Sequence, residues 1–284
     1  MDISRRFLQR RFAVAPHQLF DLDLASPSTS RKAQPEKPLI EGEMGHYRIR
    51  LAQSAADRED ACRLRFKVFN IELGEGLKSS YKTGIDTDQF DLVCDHLIVE
   101  EKSTQRVVGT YRMQSGATAL RNYGYYSAQE FDFSPFEPLR PQILELGRAS
   151  IDREHRTSEC LTLLWRGIAQ FASRSGLRYL VGCSSLNSQN PCEGWAMYRK
   201  LEGFRVPPEY MTHPMAAYAC PMDTGNEPSP NVPKLLKTYM AVGARIAAEP
   251  AWDREFGTID FLTFCDLEQL STAARNRFFG PLSQ

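Results

Sequence analysis

The chain has 284 residues, 42% of them hydrophobic and 25% charged, which allows one large or two small domains of an ordinary soluble globular protein with a sizeable core. Thirty-five basic residues balance thirty-five acidic ones, so no overall field draws the chain to nucleic acid. Seven cysteines without a CxxC pair argue against a disulfide framework or a metal site and for a reducing cytoplasm, and no apolar run has the length of a membrane span or follows the basic start as a signal-peptide core.

The first twenty residues carry four arginines against one aspartate, interleaved with Phe7, Leu8, Phe12 and Val14. Apolar and basic residues do not segregate cleanly on a helix, so two readings stay open: a disordered tail, or a contact with anionic lipid or an acidic partner. The second would make a cytoplasmic protein peripheral at the inner membrane face. Ser26 to Glu43 is rich in Pro, Ser, Lys and Glu and reads as a linker. Residues 1–45 are thus expected to be tail and linker, and residues 46–284 the folded domain.

That domain opens with an alternating strand, HYRIRLA, and a helix over Ala55 to Phe69 with Asp57 and Glu59 in its first turns. A glycine-bearing loop (Gly74 to Gly84) leads to IDTDQFD, an acidic group of Asp86, Asp88, Asp91 and Asp95. Two strands, His96 to Glu101 and Arg106 to Gln114, flank a short polar turn and form a hairpin. After an aromatic stretch, Tyr125 to Phe136, comes the central segment ILELGRASIDREHR, Ile143 to Arg156. Leu161 to Gly176 is an amphipathic helix capped by Gly176, and Tyr179 to Leu186 a second buried strand parallel to the first. Pro191 to Leu201 is another helix. The remainder, about 221–284, is a C-terminal helix–strand extension.

The central strand carries two ionisable side chains, which are costly to bury unless each has a partner or a task. Glu145 and Arg148 are three apart and would point to opposite faces of an ideal strand. Gly147 between them marks a candidate bulge, which would bring both to one face and free backbone N–H groups for an oxyanion. Arg65 lies close enough in this reading to compete for Glu145. The plainer alternative is a buried ion pair tying strands together.

This order of elements, with RLRFKVF (Arg63 to Phe69), DTDQFD (Asp86 to Asp91) and ELGR (Glu145 to Arg148), resembles the long-chain members of the GCN5-related N-acyltransferase (GNAT) superfamily. These include acyl-homoserine-lactone synthases, N-acyl amino acid synthases and ornithine–acyl carrier protein N-acyltransferases. Pro233 to Phe264 resembles the last group and its hemolysin-like relatives, and the resemblance runs from about Tyr47 to Phe279. It implies an α/β (α+β) fold: a central mixed, twisted sheet with helices on both faces and a splayed parallel strand pair. It also implies transfer of a long-chain acyl or 3-hydroxyacyl group to the α-amine of an amino acid, with ornithine the leading acceptor and aminolipid synthesis the setting. Signal or N-acyl amino acid synthesis with another acceptor is the second enzymatic reading, and a binding module without activity the third. Lysophospholipid O-acylation would need HxxxxD, and His17 with Asp21 is one residue too short.

Acetyl-CoA-using members carry RxxGxG/A after the central strand, where glycines let backbone N–H groups close on a pyrophosphate. Here REHRTSECL has no glycine, which points to acyl carrier protein as donor, with no bound cofactor. Arg153, His155 and Arg156 would meet that acidic partner, or form a solvated charge cluster. Glu145, expected to be partly buried close to the splayed strands, is the first candidate for the base that frees the amine, with Asp91 and Asp88 as alternatives by the resemblance. Asp86 and Asp88 could hold a cationic substrate or be a solvated acidic loop. Arg65 and Arg112 could grip a carboxylate or neutralise those acids. Phe131, Phe133, Phe136 and Trp165 are candidates for the acyl pocket or plain core, and Cys183 reads as a small core residue.

Overall fold

The computed structural model describes residues 37–222 and 230–279. The basic tail, most of the expected linker and the membrane contact assigned to the tail lie outside the described residues. Order begins earlier than residue 46. Strand β1 (Glu41–Met44) pairs antiparallel with β2 (Tyr47–Leu51) around Gly45, whose φ of 55° suits a tight hairpin turn. Pro, Lys and Glu in the preceding segment masked the period-two pattern of β1.

The described strands form one sheet. Its order is β1, β2, β3 (Asp95–Glu101), β4 (Val107–Ser115), β5 (Ile143–Ile151), β6 (Tyr179–Leu186), β9 (Thr258–Asp266) and β7 (Arg245–Ile246), and β8 (Ala251–Asp253) also pairs with β9. Only β5 and β6 are parallel. They hold register for three pairs, Ile143 with Tyr179 to Glu145 with Val181, and then part, although both strands run on. A Cβ at Gly182 would lie 2.1 Å from the Leu146 carbonyl oxygen, so only glycine allows the close passage at which the splay begins. The expected mixed sheet with a splayed parallel pair is therefore present. The segment anticipated as an extension is part of the sheet: β9 pairs with all eight residues of β6.

Helix α1 (Ala55–Phe66) starts at a capping box in which Ser54 and Asp57 satisfy each other's backbone N–H groups. It continues into a π-helical turn, Lys67–Glu72, a local widening often found at functional sites. Helix α2 (Gly116–Arg121) is a short element after β4. Helix α3 (Ser158–Arg174), N-capped by Thr157 and ended at Gly176 with φ 66°, packs Cys160, Leu163, Leu164 and Ile168 into the main core with Leu97, Tyr111 and Met113. Arg112, between Tyr111 and Met113, points the other way and shares Asp91 with Arg65 of α1. Helices α1 and α3 thus cover opposite faces of the sheet. Helices α4 (Pro191–Lys200), α5 (Lys234–Val242) and α6 (Thr272–Phe279) complete the described chain.

Candidate active site

A cavity of about 710 Å³ occupies the gap where β5 and β6 part. It is lined by Leu180 and by Cys183, which alternation places on opposite faces of β6, so the cavity reaches both faces of the sheet. On the α3 side its walls are apolar: Leu161, Leu164, Trp165, Leu180, Tyr239 and Cys265. The other side is polar, with Arg112, Tyr126, Ser127, Glu145, Arg148, Cys183 and Asp260. Beyond Glu145 the edge of β5 has no strand partner on its β6 side and faces this space.

Glu145 is buried on this wall, and its two carboxylate oxygens accept the Tyr126 and Ser127 backbone N–H groups at 2.9 and 2.8 Å. Burial pushes its carboxyl upward, and those two amides oppose the shift. The expected bulge is present: Thr110 pairs with Ser150 and Arg112 with Gly147, leaving Arg148 and Ala149 opposite Tyr111 alone. The left-handed conformation falls on Arg148 itself, φ 53°, so the strain, of order 1–3 kcal/mol, is borne by the functional candidate and not by Gly147. The bulge brings Glu145 and Arg148 to one cavity but does not pair them. The Arg148 guanidinium sits 3.6 Å from Asp86 and 3.5 Å from Asp88 and lies over the Phe256 ring at 4.1 Å.

Arg65 does not reach Glu145. It is wholly buried and spends its donors on Asp86 (Nε, 2.8 Å), the Asp86 carbonyl (2.6 Å) and both Asp91 oxygens (2.7 and 2.8 Å). Arg112 donates to Asp88 at 2.7 Å and Asp91 at 3.2 Å. Asp88 and Asp91 also form a capping box on the turn Gln89–Leu92. Two arginines and three aspartates thus knit α1, the DTDQFD turn and β4 together. Within this network Arg112 lines the cavity, whereas Arg65, Asp86, Asp88 and Asp91 do not. Burial alone would raise the Asp91 carboxyl, but Arg65 and Arg112 hold it well below the usual range, the wrong direction for a base at neutral pH.

Residues 64–166 match the acetyltransferase (GNAT) domain family model. Over 277 residues the chain is 30% identical to the L-ornithine N(alpha)-acyltransferase of Brucella abortus (strain 2308), covering 84% of this chain and 94% of that one. The corresponding protein of Agrobacterium fabrum (strain C58 / ATCC 33970) is 29% identical over 274 residues, with coverage of 90% and 92%. The chain belongs to the L-ornithine Nα-acyltransferase family. It is therefore an acyltransferase of the GNAT superfamily. Among solved structures, FeeM, an N-acyl amino acid synthase from uncultured soil microbes, has a TM-score of 0.48 at 9% identity, covering 79% of this chain and 93% of its own.

The acyltransferase places its remaining sequence candidates unevenly. Arg153 is exposed on the short turn after β5, and His155 is half-buried with Nδ1 3.1 Å from the Tyr47 hydroxyl. Arg156 lines the cavity, donates to the Ile151 carbonyl and pairs with Glu72. Trp165 lines the apolar side, but Phe131, Phe133 and Phe136 do not line the cavity. They pack with Tyr125, Tyr179 and Phe264 in a second core, as plain interior.

Several cavity groups were invisible to periodicity. Glu75 lies just past the π-helical turn, and burial, with Asp260 nearby, pushes its carboxyl up to about 7. Tyr111 and Tyr239 share a hydroxyl–hydroxyl hydrogen bond between β4 and α5. Cys183 lines the cavity and is not merely core; burial and Glu130 hold its thiol far from the thiolate form. Asp260, an acid inside the apolar run TIDFLTF, carried the same signal as Glu145 and could have been singled out from it. Among the described residues no helix is long and apolar enough to cross a membrane.

Proposed function

We propose that this acyltransferase moves a long-chain acyl or 3-hydroxyacyl group from acyl carrier protein to the α-amine of ornithine, the first step of an aminolipid synthesis. The observation that carries this reading is the cavity through the β5–β6 splay, apolar under α3 and α5 and lined by ionisable groups on the opposite face. A fatty chain gains about 0.8 kcal/mol for each CH₂ it buries on the first side. An amino acid finds charged partners on the second. The thioester then lies between them, along the unpaired edge of β5.

The α-ammonium loses one proton to solvent on entry, and the free amine attacks the thioester carbonyl carbon. Glu145, oriented by the Tyr126 and Ser127 amides, takes the second amine proton directly or through one water. The C–N bond forms, backbone N–H groups at the bulge stabilise the oxyanion, and the C–S bond breaks with that proton passing to the departing thiol. The two backbone amides and the Ser127 side chain occupy three of the about four acceptor sites of the carboxylate, which leaves one for this proton.

For the donor, the turn at 153–157 has no glycine to let a backbone cradle close on pyrophosphate, while Arg153 stands exposed and Arg156 sits at the cavity wall. An acidic carrier protein bearing a phosphopantetheine arm fits that rim. The test gives the purified protein ornithine with one acyl group on carrier protein or on coenzyme A, and follows N-acylornithine by mass spectrometry. The carrier thioester should be used far better, less so as salt rises, and Arg153→Glu should raise its KM. Equal kcat/KM for both donors would overturn the carrier assignment, and no N-acylornithine from either would overturn the acceptor.

A further inference from the structure

Every other fully buried acid in the described chain has its charge answered. Asp86 and Asp91 have Arg65, Glu100 has Arg48 and Arg50, Asp152 has Lys67, and Glu145 has two backbone amides. Glu130, Asp253 and Asp260 are at least 95% buried, yet they form no ion pair among the described residues. They come from three places, a turn within the aromatic stretch, β8 and β9. One oxygen each of Glu130 and Asp260, with the Cys183 sulfur, lie within 4.8 Å of one another. Asp260 accepts a hydrogen bond from Thr258 at 3.2 Å, and Asp253 accepts the Glu255 and Phe256 N–H groups at 2.8 and 3.0 Å. Asp253, Asp260 and Cys183 line the polar side of the cavity. Buried carboxyl groups gathered without an ion-pair partner are costly: burial, Asp260 and Asp253 hold the Glu130 carboxyl well above the usual range, and burial and Asp253 raise Asp260, although hydrogen bonds from Ser185, Glu130 and Thr258 oppose that shift.

A second feature of the same wall points to a ligand. The Arg148 side chain is 91% buried and lines this cavity, yet its Nε, 3.6 Å from Asp86, makes no hydrogen bond among the described residues. A guanidinium held only at 3.6 and 3.5 Å by Asp86 and Asp88, and three buried carboxyl groups that make no ion pair among the described residues, therefore share one region, with Arg148 acting on Glu130 only at longer range. An α-amino acid with a cationic side chain is complementary to that pair of features.

We infer that Asp253 and Asp260, on the cavity wall and backed by Glu130, form the subsite for the side-chain ammonium of the acceptor, with Arg148 receiving its α-carboxylate. This rests on the acceptor being ornithine, as proposed above, and assigns the residues that distinguish it from neutral amino acids. An ammonium offers three donors to carboxyl oxygens. The DTDQFD aspartates, first candidates for this role, are unavailable because Arg65 and Arg112 already hold them.

The test compares ornithine with norvaline, which has the same carbon skeleton without the δ-amine. The wild-type protein should favour ornithine by at least ~10²-fold in kcat/KM, because norvaline would leave the buried acids unpaired. Asp260→Asn and Glu130→Gln, made separately, should bring that ratio toward one. Ornithine, and not norvaline, should also raise the melting temperature of the wild type, and each variant should lose that shift. Variants that fold and keep both the ratio and the shift would overturn the subsite while leaving ornithine acylation standing. Acylation of norvaline with none of ornithine would overturn both readings. Activity lost to a chelator and restored by zinc would also overturn the subsite, by giving Glu130, Cys183 and Asp260 to a metal.

Discussion

Arg65 and Asp91 meet through two hydrogen bonds, 2.7 and 2.8 Å long, in an interior closed to solvent. The pair ties α1 to the turn before β3 and leaves neither side chain for substrate. Removing one partner leaves the other only Asp86 or Arg112 and unbalances a buried charge network. Arg65→Ala or Asp91→Asn should cost about 3–5 kcal/mol, read as a fall in the denaturant midpoint. Arg65→Lys should fail to rescue, because an ammonium cannot reproduce the fork. A stable Asp91→Asn protein with a specific loss of turnover would restore Asp91 as a catalytic candidate.

His96 sets a pH dependence on the same network. Burial lowers its pKa from 6.5 to about 3, and its Nδ1 has no partner. Between those values the unfolded chain binds a proton that the folded chain refuses, so stability falls as pH drops from about 6.5 toward 3. Asp91 acts later. Its folded pKa lies below the unfolded value of 3.8, so its contribution is complete above that value and is lost as pH falls further. Glu75, with its carboxyl pushed up to about 7, contributes the opposite slope in this window, so the reading is the difference: in urea melts from pH 7 to 4 the wild type should lose stability relative to His96→Gln.

Glu145→Gln separates chemistry from architecture. Because Glu145 is held by two amides and not by Arg148, the change strands no charge. One carboxylate oxygen becomes an NH₂ facing an N–H donor, worth about 1–3 kcal/mol. Turnover should fall by at least ~10²-fold, while thermal melts show a folded protein. A fully active variant would pass the proton-accepting role to another cavity carboxyl, with Glu75 first.

Phe136 and Trp165 should behave oppositely. Phe136 is wholly buried and stacked 5.4 Å from Phe264, so Phe136→Ala should cost about 3–5 kcal/mol without changing acyl preference. Trp165 and Leu180 line both the main cavity and a small void bounded by Ile168, Val242 and Phe278. Trp165→Ala should join the two spaces and shift the preferred acyl chain longer, measured as kcat/KM across a thioester series. An unchanged optimum would show that the chain ends short of Trp165.

Local pattern determined much of this protein. Alternation marked β2, a polar turn between two strand-like runs marked β3 and β4, apolar runs marked β5 and β6, helical spacing with Gly176 marked α3, and a glycine between two charges marked the bulge. These signals are legible because they arise from neighbours in sequence. ELGR and DTDQFD also identified the superfamily and the candidate acids. Strand β1 was missed because its composition resembles a linker, and β9 was placed in an extension because pairing with β6 is a long-range choice.

Only the tertiary structure decided which charges are free. From sequence alone, Arg65 could serve Glu145, a substrate or Asp91, and each partner has suitable chemistry. Packing α1 against the DTDQFD turn commits it to Asp86 and Asp91, which closes those acids to any ligand. The same folding brings Asp253 and Asp260 from distant segments to one wall, with Glu130 behind them, and no ion pair among the described residues answers them. Charge pairing across a sheet depends on which side chains share a face and a burial depth, and that is settled by register and topology, not by spacing along the chain.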